Sequence, residues 1–466
     1  MTAGHRLEFL ARVTPPWLPA ALEYLPQWIE LQMRLFDQPG CVVAVVHGDH
    51  LMLETAFGRA DLRDATPLTP RHRFRVASHS KTFTAAGIMK LRERGVVGLD
   101  DTIGSHVAGL HPSLAGARVA QLLSHSAGVV RDGVIADHWH DRRPFPDAAE
   151  LAAGLGDAPP IVPNTRFKYS NYGYGLLGRL IEAVAGEPYA AWIAREIVAA
   201  AGLAETTPDM PPADGTPMAS GHGPKLPVGR RVVLPGHQPT GALAAATGFV
   251  STAADLARFF AQLLPSADAS VLSADSRREM TRAQWRNPDS SLERTYGLGT
   301  MSGGNRDWWW FGHGGAFQGF ASLTAALPAH ALTVSIVTNA IDGMANQWLA
   351  GTLHVLATFA KHGAPSEAVR DWGGRWWSIW GAIDLVPTGG KVLAASPALA
   401  TPFSDASEIA VSGPDDGTIV RANGFGSHGE PVHRARDADG RPSELRFAGS
   451  TFVPEARLVA ELTARE

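Results

Sequence analysis

Apolar positions change their spacing several times along the chain, and each change marks an element. Over residues 18–36, LPAALEYLPQWIELQMRLF, the residues Leu25, Trp28, Ile29, Met33 and Leu35 recur at helical spacing and predict one broad apolar face. Pro39-Gly40 stops that helix. Two strand-like runs follow, CVVAVVH and LMLETAF, and Gly48-Asp49-His50 between them reads as a hairpin turn. From about residue 78 to 265 the pattern is mainly helical; near its end Thr252 is placed to cap STAADLARFFAQLL, with Asp255 three residues on and Pro265 as the stop. Strand signals return at DWWWFGH (307–313), GFASLTAAL (319–327) and ALTVSIVTNA (331–340), and residues 342–361 predict another helix.

This order, a helix, two strands, a long helical insertion, three strands and a helix, predicts an α+β domain. Strands from both ends of the segment complete one antiparallel sheet, terminal helices cover a face, and the insertion forms an all-helical lobe. The seam between such lobes is a natural substrate cleft. After about residue 365 Gly, Pro, Asp and Ser become dense, and KVLAAS, EIAVSG, TIVRAN and SELRFAG alternate with turns, the texture of a small all-β sandwich or barrel. The expected domains are therefore 1–362, with the helical lobe at about 78–265, and 366–466. Trp372, Trp376, Trp377 and Trp380 open the second domain and are expected in its core or its contacts.

Composition narrows the function classes. A hydrophobic content of 45%, a charged content of 18% and a net charge of −4 describe a globular chain with no field for nucleic acid or an anionic membrane. The single cysteine, Cys41, lies in an apolar run and excludes an internal disulfide. The stretch MTAGHRLEFLARVTPPWLPA lacks the apolar core of a signal peptide, and no run approaches the ~18 apolar residues of a membrane span, so a cytoplasmic location is expected.

Candidate chemistry sits in FRVASHSKTFTAAGIMKLRERG (74–95). The chain has only six lysines, yet Lys81 follows Ser78 by three residues at the start of a helical pattern, which puts both side chains on one face. A serine hydroxyl needs a base, and a lysine that is buried or lies near a helix N-terminus loses its proton more easily. Gly95 is a plausible end for that helix. By composition alone roughly a third of such a match is expected by chance, so the pair needs partners. In KYSNYGYGLLG, Tyr169 and Asn171 form Y-x-N before a helical run: a phenol able to shuttle a proton and an amide able to hold a substrate carbonyl or the lysine. In WFGHGGAFQGF, His313-Gly314-Gly315 follows a strand, where small residues let a substrate lie against the edge. The N–H groups of Ser78 and Ala316 are candidate oxyanion donors.

This ordered set resembles the serine β-lactamase and penicillin-binding-protein superfamily, in particular its class C-like branch of D-aminopeptidases, D-alanyl-D-alanine carboxypeptidases and β-lactamase-fold esterases. That branch is marked by S-x-x-K, Y-x-N and K-T-G or H-x-G. QPGCVVAVVHGD, LLSHSAGV and TGFVSTAADLARFF agree in order as well, and the likeness covers about residues 35–360. The tail resembles, more weakly, the lipocalin-like domain appended to some members. The resemblance implies a β-lactamase/transpeptidase-like fold, Ser78 as acylated nucleophile, Lys81 as base or electrostatic partner, and Tyr169 as general base/acid. It also implies substrate contacts at Asn171, His313, Gly314 and Gly315, and needs no metal or cofactor. Whether Lys81 or Tyr169 takes the proton stays open.

His313 stands where many relatives have a lysine that helps hold a substrate carboxylate, so β-lactams are expected to be poor substrates. A hydrolase of small esters, amides or short D-amino-acid peptides is the leading reading, with a homo-oligomer compatible with it. An acyltransferase on the same scaffold and a non-catalytic binding protein are the alternatives. His138, His140 and Asp141 are expected in a solvated loop, or at the cleft rim, rather than on a metal. The Pro- and Gly-rich insert 210–241 reads as a long loop, either surface cover or a determinant of specificity.

Overall fold

The computed structural model describes residues 13–213, 215–226, 229–286, 294–304, 306–423 and 426–465. The first twelve residues, part of the stretch read for a leader, lie outside them, as do positions 214, 227 and 228 of the insert. The chain divides into two compact units: Gln38–Leu349, and Thr14–Asp37 together with Ala350–Glu466.

The first unit is built on an eight-stranded antiparallel sheet. Its strands are β1 (Gly40–His47), β2 (His50–Gly58), β3 (Trp285–Arg286), β4 (Thr295–Tyr296), β5 (Met301–Gly303), β6 (Trp310–Phe317), β7 (Phe320–Leu327) and β8 (Leu332–Thr338). The spatial order is β2-β1-β8-β7-β6-β5-β4-β3, so the two ends of the unit meet where Val43 pairs with Ile336. Five strands are long, and β3 to β5 extend the edge by two or three residues each. β1, β7 and β8 are buried along their whole length, which is why CVVAVVH and FASLTAAL read as near-continuous apolar runs instead of alternating ones.

Helix α4 (Ala253–Gln262) packs on β1, β8 and β7, and Thr252 caps it by accepting the Asp255 N–H, as the spacing predicts. The helical lobe contains α2 (Ser80–Glu93) and α3 (Asn171–Ala185). Phe83 of α2 stacks on Phe259 of α4 at 4.0 Å and on Phe249 at 4.4 Å, so α2 is locked to the sheet layer through aromatic packing. Gly95 ends α2 in the left-handed conformation at φ 69°.

In the second unit eight antiparallel strands follow one another from Gly374–Ser378 to Ser450–Phe452. Trp377 and Val453 exchange backbone bonds at 2.8 and 2.9 Å, joining the first strand to the residue after the last and nearly closing a barrel. Trp372, Trp376, Val392, Ile409, Ile419 and Leu445 fill it. Trp380, in contrast, is 92% exposed at the tip of the first hairpin. The N-terminal helix α1 (Leu18–Leu35) groups with this unit: Tyr24 OH donates to Asp384 at 3.0 Å, and Gln32 Nε2 to the Pro397 carbonyl at 2.8 Å. No helix among the described residues is long and apolar enough to cross a membrane.

Candidate active site

Between residues 74 and 89 every residue is buried except Ser78. A two-residue strand pairing, Phe74 with Ser251 and Arg75 with Val250, delivers the chain to the site, and Ala77 turns it at φ 45°. The left-handed turn opens a 3₁₀ segment, Ala77–His79, that runs into α2 and leaves Ser78 at its N-terminal end. Lys81 follows one turn later.

The structure brings Ser78, Lys81, Tyr169 and Asn171 together. Tyr169 OH donates to Ser78 Oγ at 2.8 Å, and Lys81 Nζ lies 3.1 Å from the same oxygen. Lys81 is fully buried and also donates to Asn171 Oδ1 at 2.7 Å and to the Ala246 carbonyl at 2.8 Å. Burial holds its pKa well below the ordinary lysine value, partly opposed by the negative charge of Asp132. Burial raises the Tyr169 phenol in turn. Of the two uses open to Asn171, its amide makes the one with the lysine, and its Nδ2 donates to Asp132 Oδ1 at 2.6 Å.

The residues around this cluster explain its placement. Ser170 caps α3 by accepting the Gly173 N–H at 2.8 Å, so Asn171 is the first residue of that helix. The Arg131 carbonyl accepts the N–H groups of Asn171 and Tyr172 at 2.9 and 3.1 Å. The same loop presents Asp132, whose carboxylate also accepts Trp139 Nε1 at 2.9 Å and pairs with Arg131 at 3.0 Å. The His125 ring lies 4.2 Å from that of Tyr169, and its Nδ1 accepts the Ser170 N–H at 3.1 Å. No spacing in the sequence marks Asp132 as part of the site. His125 lies inside LLSHSAGV, so its stretch was visible while its contact with Tyr169 was not.

His313 is 1% exposed. Its Nε2 is 2.9 Å from Tyr296 OH and its Nδ1 2.7 Å from the Gly314 carbonyl. Burial drives its pKa well below the ordinary value, and any positive charge on Lys81 or His79 would push it the same way, so the imidazole is neutral at pH 7. β5 pairs with β6 only over Trp310–Gly312, and the Ser78 turn packs against β6. A side chain at Gly315 would put its Cβ 2.2 Å from the Val76 carbonyl and 2.8 Å from Ser322 Oγ, so the glycine admits the serine turn itself to the strand. Ala316, the next residue, is exposed.

The loop 137–141 departs from expectation. His138 is buried rather than solvated, its ring 4.8 Å from Phe145 and 5.6 Å from Trp139, because the loop folds inward onto these aromatics. Among the described residues no group of three or more His, Cys, Asp or Glu side chains is placed to hold a metal. A cavity of about 360 Å³ is lined by Trp139, His140, Asp141, Ala316 and Phe317, and the insert contributes Pro224 and Leu234. A larger cavity of about 530 Å³ lies beside Val129, Val130 and Tyr172, and neither cavity is lined by Ser78, Lys81 or Tyr169.

Comparison with known proteins agrees with this architecture. The family model described as "Beta-lactamase" matches residues 29–351. Penicillin-binding protein 4* of Bacillus subtilis (strain 168) is 33% identical over 170 residues, 36% of this chain and 37% of that protein. The chain thus matches little more than a third of that relative's length. The octameric penicillin-binding protein homologue from Pyrococcus abyssi is similar over 93% of this chain and 99% of that one, with a TM-score of 0.65 at 21% identity. The D-amino acid amidase from Ochrobactrum anthropi SV3, complexed with L-phenylalanine, is similar over 72% of this chain and 98% of that one, with a TM-score of 0.63 at 21% identity. At these identities the solved structures speak for the fold, and the family match, which covers most of the chain, speaks for descent: the chain belongs to the beta-lactamase family.

Proposed function

We propose that this protein is a serine hydrolase that forms an acyl-enzyme at Ser78 on small amides or esters, with little activity on β-lactams. The observation that carries this reading is Ser78 Oγ held between Lys81 Nζ at 3.1 Å and Tyr169 OH at 2.8 Å. The Asn171 and Ala246 oxygens can only accept, so they take two N–H bonds from Nζ. A neutral amine has two N–H bonds and one lone pair, and the remaining direction points at Ser78. Lys81 is therefore the base in acylation: its lone pair takes the Oγ proton as Oγ bonds to the substrate carbonyl carbon.

The tetrahedral oxyanion is received by the N–H groups of Ser78 and Ala316. When the bond to the leaving group breaks, the departing amine or alkoxide takes a proton from Tyr169, on the other side of Oγ, and Lys81 restores it. The serine proton has then moved to the leaving group, and water repeats the sequence in reverse to release the acid. Lys81 and Tyr169 act as one coupled unit. The buried, neutral His313 supplies no cation for the carboxylate of a β-lactam. Substrates of the D-amino-acid amide type are supported by the likeness to the D-amino acid amidase, and an assembled state by the likeness to the octameric homologue.

The test is direct. A fluorophosphonate probe is expected to add to the wild-type protein at Ser78, read by intact mass and peptide mapping, and not to Ser78→Ala. Short esters are expected to turn over with wild type only, and nitrocefin to acylate it far more slowly than the best ester. An unlabelled Ser78 in folded protein would remove the proposal.

A further inference from the structure

A buried imidazole beside the phenol invites a catalytic role, and the hydrogen bonds of His125 deny it one. Its Nδ1 accepts the Ser170 N–H at 3.1 Å, so the neutral ring carries its proton on Nε2. That nitrogen is buried with no hydrogen-bond partner among the described residues. The rings of Tyr169, Tyr296 and Tyr174 lie 4.2, 4.7 and 5.1 Å from the imidazole, which is 2% exposed. Both nitrogens are thus closed to a substrate. A second proton would set an N–H against the Ser170 N–H, and burial opposes it as well.

What His125 does hold is the chain on both sides of Tyr169. Its backbone carbonyl accepts the Lys168 N–H at 2.7 Å and its ring accepts the Ser170 N–H, so one residue grips positions 168 and 170. The same ring lies against that of Tyr169, tilted by 37°. His125 makes this clamp at φ 59°, a left-handed conformation that few residues other than glycine adopt. The Tyr169 hydroxyl reaches Ser78 Oγ at 2.8 Å and, in the step proposed above, the leaving group too, so its placement governs proton transfer.

We infer that His125 is a positioning residue for leaving-group protonation: by holding residues 168 and 170 it sets the Tyr169 hydroxyl where the leaving group departs. That role rests on the hydrolase reading above and deepens it, because it assigns the accuracy of one step to a residue that touches no substrate. As the bond from the acyl carbon to the leaving oxygen breaks, the electron pair stays on that oxygen. An alkoxide then needs the Tyr169 proton, whereas a nitrophenolate departs without one. A misplaced Tyr169 therefore slows alkyl esters far more than nitrophenyl esters, while general damage to the site slows both.

Ethyl and 4-nitrophenyl butyrate share one acyl group, so the ratio of their kcat/KM values reads the leaving group alone. It is measured for wild type, His125→Phe, His125→Asn and Tyr169→Phe, with fluorophosphonate labelling of Ser78 and thermal unfolding of each. His125→Phe keeps a ring and removes the acceptor for the Ser170 N–H. It is expected to lose about 100-fold on the ethyl ester and less than about 10-fold on the nitrophenyl ester, the same direction as Tyr169→Phe. His125→Ala takes its place if that variant does not fold. Asparagine puts Oδ1 near the position of Nδ1 and tolerates the left-handed backbone, so His125→Asn is expected to return the ratio to within about 3-fold of wild type. An unchanged ratio in His125→Phe overturns the inference, as does one equally disturbed in His125→Asn. Equal losses on both esters in Tyr169→Phe, or a labelled wild type that does not hydrolyse the ethyl ester, would remove the leaving-group role of Tyr169 and the inference with it, leaving Ser78 as nucleophile. Absent labelling of wild type would remove the hydrolase reading itself.

Discussion

Two carbonyl oxygens set the hydrogen bonding of Lys81. Because Asn171 and Ala246 occupy two N–H bonds of a buried amine, protonation adds a third donor with only Ser78 Oγ left to receive it. In the proposed mechanism protonation thus consumes the lone pair that acylation needs. The sign of the pH dependence follows: below the folded pKa of Lys81 the base is occupied, so kcat/KM for acylation rises with pH through that value, which lies below the ordinary 10.5. The Asp132 charge raises the lysine against burial, so Asp132→Asn is expected to move the rising limb to lower pH. The same substitution weakens the hold on Asn171, and the plateau rate is expected to fall about 10-fold. A pH–rate profile of both proteins checks this; a limb that stays in place or moves to higher pH contradicts the role given to Asp132. Ser78, Lys81 and Tyr169, which the structure brings together, could be picked out in the sequence because each belongs to a short motif with its own spacing. Asp132 could not, because it reaches the site through Asn171, 39 positions away in the chain.

Elements explain why those side chains meet. H-G-G, which lies within β6, was visible in the sequence and suggested room for a substrate at the strand edge, yet at Gly315 the nearest atom is the Val76 carbonyl of the serine turn, 2.2 Å from where a Cβ would sit. At Gly314 the nearest atoms, Leu323 Cδ1 and the Ser322 carbonyl, stand at 3.3 Å, a contact that small shifts relieve. Gly315→Ala is therefore expected to push the Ser78 turn off the strand and slow fluorophosphonate labelling about 100-fold, whereas Gly314→Ala costs less than about 10-fold. Labelling rates of the two variants, with thermal unfolding to confirm that both are folded, decide the matter; equal losses would count against a steric role for Gly315. The long strands were legible as apolar runs. The short strands β3 to β5 were not, because two or three residues carry no period. The burial of His138 was hidden for a related reason: a polar loop gives no sign that Trp139 and Phe145 will fold over it.

At the scale of the molecule, composition located the β-rich second unit, but an amphipathic stripe does not say what will cover it. The apolar face of α1 predicted burial, and the contacts that identify its unit, Tyr24 with Asp384 and Gln32 with Pro397, join residues more than three hundred positions apart. Of the four tryptophans two, Trp372 and Trp376, enter the core, and neither shows what else supports it. That support includes Arg434, 2% exposed, with its guanidinium 4.4 Å from the Trp372 ring. Nη1 donates to the Asp371 carbonyl at 2.7 Å, and Nη2 lies 3.3 Å from Asp415. Desolvating a guanidinium is costly, and here the ring, a carbonyl and a carboxylate offset the cost together. Removing the side chain leaves a void beside Trp372 and the Asp371 carbonyl without its donor, while Asp415 keeps Arg436 at 2.7 Å, so Arg434→Ala is expected to destabilise the protein by about 2–4 kcal/mol, measured by urea unfolding followed through tryptophan fluorescence. Arg434→Lys is expected to recover only part of the loss, because a point charge reproduces neither the planar stack on Trp372 nor the fork of donors. A loss below about 1 kcal/mol for Arg434→Ala would show that the barrel is held by its apolar filling alone.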